Sequence, residues 1–162
     1  MKIDHAINDV QDAENQLGTE LRRIGERHAV EHDLYHLGHI LARQCDAHLA
    51  ALAPAAERYG VSLSANDVGE SSGIIESLRR TSAQMMRRAQ APGMLLLRDL
   101  CNMYLNAQEA ELAWVILIQV AKAARDPALL EVATSCCEDA EIRGKWLRTR
   151  IKEAAPQILV AG

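Results

Sequence analysis

Glycine and proline interrupt this chain at Gly60, Gly69, Gly73, the Pro92-Gly93 pair, Pro127 and Pro156, and the intervals between those breaks are helix-sized. No segment alternates apolar and polar residues over a useful length, and no repeat is evident, so the sequence reads as all-α. Its 162 residues fit one domain. From Ile7 to Ile24, the residues Ile7, Val10, Leu17, Leu21 and Ile24 recur at helical spacing and define one face. Continued through Gly25 and His28 at about 100° per residue, the same helix would carry Val30, Leu34, Leu37, Leu41, Cys45 and Leu52 to nearly its opposite side. A straight rod cannot bury both stripes, so a turn or strong kink is expected near residues 25–29.

The expected helices span about residues 5–24, 29–59, 74–90, 94–124 and 127–153. Pro54 is expected to bend the second late or to end its regular part. The Ser-, Gly-, Asn- and Asp-rich stretch 60–73 reads as a loop, and 74–90 as a short Arg-rich helix within a long connection. The fourth helix would bury Leu97, Leu100, Tyr104, Ala107, Val115 and Ile118. Asp126 as N-cap and Pro127 at the first helical position mark the start of the last helix, which would bury Leu129, Ala133, Cys136, Ala140, Leu147 and Ile151. The tail from Pro156 is expected to be loosely held. Two short turns and one crossover carrying a short extra helix make an antiparallel four-helix bundle.

With aromatic residues at 3% and no Phe, the core must be filled by Leu, Ala, Ile, Val and Met, a mixture that suits helices. A formal net charge of -4 gives no global field for nucleic acid or an anionic membrane. The longest apolar run, Leu112 to Ile118, falls far short of the roughly 20 residues a membrane span needs. The first residues, Met1 to Asn8, are polar, and the expected location is cytoplasmic. Cys45, Cys101, Cys136 and Cys137 lack zinc-finger or CxxC spacing and read as reduced, mostly packed thiols. Nucleotide-binding, serine-hydrolase and zincin motifs are absent from the sequence.

Polar residues that fall on apolar stripes carry the chemical interest, because an ionisable group facing a core must be paired, neutralised or metal-bound. Glu14 lies between Val10 and Leu17 on the first helix. Glu111 is expected at the centre of the 94–124 stripe. His48 projects with Leu34, Leu41 and Leu52, and Glu141 lies at the edge of the last stripe. Inward carboxylates and histidine from four facing helices are how di-iron and di-manganese bundles hold their metals.

The segments 13–17, 41–52, 105–118 and 137–147 resemble the small bacterial ferritin-like proteins, a likeness that covers most of the chain. The resemblance implies a ferritin-like bundle, often dimeric, with Glu14 and Glu111 as the single glutamates of two helices and iron or manganese as the metal. The other two ligand motifs would be Cys45-Asp46-Ala47-His48, with Cys in place of Glu, and Glu141-Ile142-Arg143-Gly144, with Gly in place of His. Reading the last as Glu138 to Glu141 also lacks the histidine. Two of six expected ligands are missing, which favours a buried hydrogen-bonded cluster in a structural or interaction protein; the alternative is an iron- or manganese-binding centre of Glu14, His48, Glu111 and Glu141 serving metal storage or oxygen or peroxide chemistry.

Two further constellations stand out. His28, His32, His36 and His39 fall on the side of their helix opposite the apolar stripe, where they read as a solvated ridge or as a zinc-bridged or pH-sensitive contact with a second copy. Arg79, Arg80, Arg87 and Arg88 read as a solvated face, with docking of an acidic protein partner or of nucleic acid as the functional alternative.

Overall fold

A computed structural model describes residues 2–64 and 92–161, and these form four α-helices with no strand among the described residues. They are α1 (Ile3–Arg27), α2 (His32–Glu57), α3 (Pro92–Ala124) and α4 (Pro127–Leu159). The expected helix 74–90, with Arg79, Arg80, Arg87 and Arg88, lies outside the described residues. No helix among the described residues is long and apolar enough to cross a membrane.

The first break falls later than the sequence suggests. Helix α1 runs through Gly25 to Arg27, and a turn closed by Glu31 N–H to His28 O at 2.9 Å leads into α2. Gly25 is therefore a packing position: a Cβ there would lie 3.5 Å from the Tyr35 carbonyl oxygen of α2. Pro54 does not end α2, which continues to Glu57. Three residues from the helix end, it removes one backbone bond, to the Ala50 carbonyl, without breaking the helix. Gly60, at φ 73, then takes the left-handed conformation that closes a helix end.

The tail is better held than expected. Helix α4 passes through Pro156 to Leu159, and Ile158 packs on the core beside Gly93. Its start follows the capping logic: the Asp126 carboxylate accepts the Leu129 N–H at 3.0 Å, with Pro127 next in the chain. That carboxylate also accepts the Tyr59 hydroxyl at 2.7 Å and pairs with Arg58 at 2.9 Å, joining the end of α2 to the start of α4.

Helix α1 packs on α2 and on α3, α3 on α4, and α2 meets α4 more sparsely than these. The buried stripes of α1, α2 and α4 are largely those the spacing predicts, from Ile7, Val10 and Leu17 to Ala133, Ala140 and Leu147. Burial of each large aliphatic side chain contributes about 1.5–3 kcal/mol. The stripe of α3 needs correction. Its buried residues include Leu100, Met103, Ala107, Ala110, Trp114, Leu117 and Ala121, whereas Val115 is 39% exposed and Leu97, Tyr104 and Ile118 are half-buried. Helix α3 is apolar almost all round, so its sequence leaves the rotational phase open, and the large indole of Trp114 takes the inward position.

Candidate functional site

Every helix contributes to a buried polar centre around Glu14. Glu14 of α1 is fully buried among Val10, Ala13 and Leu17. Arg143 of α4, 1% exposed, straddles its carboxylate, with Nη2 donating to Oε1 at 3.0 Å and Nη1 to Oε2 at 3.2 Å. Trp114 of α3 donates its indole N–H to Oε1 at 2.7 Å. On α2, His48 places Nδ1 3.1 Å from the same oxygen and Nε2 3.2 Å from Oδ2 of Asp139. Both histidine contacts are hydrogen bonds only when both ring nitrogens carry protons. Two carboxylates then stand against two cations.

Burial alone would push the Glu14 carboxyl up, but the His48 hydrogen bond and the Arg143 charge outweigh it and hold the group down at about 2. The same carboxylate raises its neighbours. Burial, reinforced by the Glu14 charge, pushes the Cys45 thiol far above its usual range and the Cys136 thiol up to about 12. Burial and nearby carboxylates raise Cys137 as well. These thiols are therefore protonated packing groups; Cys45 receives Arg143 Nη1 at 3.5 Å.

The depressed Glu14 carboxyl fixes the sign of the acid response. Its folded value of about 2 lies below the ordinary 4.5, so its stabilisation is complete above pH 4.5 and is lost as pH falls towards 2. Urea midpoints measured between pH 5 and pH 2 should record a loss on the order of 3 kcal/mol from this group. Glu14→Gln should flatten that part of the curve.

The residues singled out as metal ligands separate into two sets. Glu14 and His48 meet as expected. Glu111 is only half-buried and accepts from Gln108 Nε2 at 3.1 Å, and Glu141 is exposed. Placing Glu111 at the centre of the buried face is thus corrected by the same rotation of α3 that brings Trp114 inward. No group of three or more His, Cys, Asp or Glu is arranged to hold a metal ion among the described residues. The donor set itself fits iron or manganese poorly, because both Glu14 oxygens are occupied by nitrogen donors and a fixed guanidinium sits against them.

Trp114, Asp139 and Arg143 complete the centre without being among the expected ligands. Arg143 nonetheless carries a readable signal: it stands three residues after Ala140 and four before Leu147, on the buried stripe of α4.

The histidine ridge also divides. His32 and His36 are exposed, His39 contacts Glu26 at 3.1 Å, and Tyr35 packs edge-on against His36 and His39. His28 does not belong to the ridge. It is 8% exposed and its Nε2 lies 2.8 Å from Asp99, whose carboxylate also takes both bonds of Arg27 at 3.1 and 2.9 Å. The turn between α1 and α2 removes His28 from the helical phase that would have aligned it with the others.

Compared with known proteins, the chain has no significant match to a family model, a curated protein or a solved structure.

Proposed function

We propose that this chain is a one-domain, antiparallel four-helix bundle of ferritin-like type in which an arginine-centred ion network stands in place of a carboxylate metal centre. It acts as a structural or interaction protein. The observation that carries this reading is the bidentate seat of Arg143 on Glu14, with neither side chain exposed. A guanidinium supplies permanently the positive charge that a metal ion would bring, and it satisfies the buried carboxylate without one. The order of close approaches supports the antiparallel course, since Gly18 faces Cys45 while Gly25 faces Tyr35.

Self-association is supported by the outer side of α3, where Met94, Leu105, Leu112 and Ile116 form a strip turned away from the core. Leu105 and Leu112, and likewise Cys101, which is half-buried, and the exposed Ile116, stand at equal distances from a point between residues 108 and 109. A two-fold pairing needs such self-complementary spacing. Anaerobic addition of Fe(II) or Mn(II), followed by desalting and elemental analysis, should leave no stoichiometric metal, and the same protein should sediment as a dimer. Retention of one or two equivalents of metal that Glu14→Gln abolishes would overturn the proposal in favour of an iron- or manganese-binding carboxylate protein.

A further inference from the structure

A cleft of about 360 Å³ opens where α2 and α4 diverge, remote from the Glu14 network in its lining and unrelated to the strip on α3. The geometry points to a binding site for a small organic cation here, an ammonium group carried on an apolar body. The volume is that of a small-molecule pocket. Leu37, Ile40 and Trp146 supply the apolar wall. Trp146 packs one part of its ring on the core, and its indole N–H meets no acceptor among the described residues.

The charges around the cleft favour a cation. Arg150, its one guanidinium, is already matched: Nε lies 3.0 Å from Asp33 and Nη2 3.4 Å from Glu31. Glu153 remains on the rim, exposed and with no hydrogen bond or ion pair among the described residues. Asp33 and Glu153 in the lining, with Glu31 beyond it, set three carboxylates against the Arg150 guanidinium, and Glu153, the one of them without an ion pair among the described residues, lines the same cleft as the half-buried Trp146. An ammonium bound between them donates a charge-assisted hydrogen bond to Glu153 and gains the attraction of the ring face of Trp146. An anionic ligand would meet an arginine already paired with two carboxylates, and a bare metal ion would have no use for the apolar wall. His36 also lines the cleft and is exposed. Working at pH 8, above the ordinary histidine range, keeps its charge out of the comparison.

The test uses the full chain, isotopically labelled, with phenethylammonium as the probe and 3-phenylpropionate as its counterpart of opposite charge. The two indole N–H resonances of Trp114 and Trp146 are resolved and assigned with Trp146→Phe. Phenethylammonium should shift the Trp146 signal saturably and leave Trp114 unmoved, whereas 3-phenylpropionate should leave both in place. Glu153→Gln, a change at an exposed position that leaves the fold alone, should weaken the ammonium at least threefold. Absence of a saturable shift, an equal response to the two probes, or indifference to Glu153→Gln would each overturn the assignment.

Discussion

Replacing Arg143 by Met should destabilise the protein by about 3–5 kcal/mol, read as a lowered urea midpoint at neutral pH, because it strands the Glu14 carboxylate in the interior. Methionine fills comparable volume, so the loss reports charge pairing more than a cavity. The informative companion is the double variant Glu14→Gln/Arg143→Met, which removes both ends of the pair. It should recover at least half of the loss, since an uncompensated buried charge costs more than the absence of a buried pair. Glu14 is the common acceptor for Trp114, His48 and Arg143, so the effects of altering these residues will not add. An Arg143→Met chain as stable as the parent would show that the guanidinium contributes nothing net to the fold.

The second large effect is expected from a single methyl group. A Cβ on Gly38 would lie 2.9 Å from the Leu21 carbonyl oxygen and 3.6 Å from the Gly25 Cα, both backbone atoms of α1. Neither can turn aside as a side chain would. Gly38→Ala must push α2 away from α1 along the closest part of their contact, at a cost of about 1–3 kcal/mol, even after the better helix propensity of alanine is counted. Gly144→Ala provides the contrast. Its Cβ would meet the Gln108 amide at 2.7 Å, but that is the end of a flexible side chain, and rotation clears it. Here the propensity gain of up to about 1 kcal/mol should leave the protein as stable as before or slightly more so. Thermal or urea unfolding of the two variants side by side separates a backbone contact from a side-chain contact. Equal effects would contradict the close approach of α1 and α2.

Much of the helical layout was legible because Pro92, Asp126-Pro127 and the apolar stripes of α1, α2 and α4 each have one structural solution. The boundaries that moved did so for local reasons. Gly25 lies inside α1 because glycine served close packing rather than a turn, and Pro156 lies inside α4 because Ile158 behind it still finds the core. The phase of α3 was not legible, since a helix carrying Leu105, Leu112, Val115 and Ile116 on its outer side offers more than one apolar face. That ambiguity misplaced Glu111.

The candidate site was half visible. Glu14 and His48 could be found as polar residues on apolar stripes, and they do meet. Arg143 meets the same criterion, but a guanidinium cannot ligate a metal ion and so has no place in a carboxylate-histidine ligand set. Asp99 and His28 illustrate a limit of periodicity: their pairing depends on a turn whose position shifts the phase of everything after it.

The Asp126 carboxylate bears on how the termini of two distant helices behave in time. It closes the first turn of α4 while holding Tyr59, 67 positions earlier in the chain, at the last turn of α2. Fraying at either terminus hydrates the one anion that both depend on, so neither can loosen without weakening the other. Hydrogen exchange at these two helix ends should therefore be coupled, although neither end is adjacent to the other in sequence.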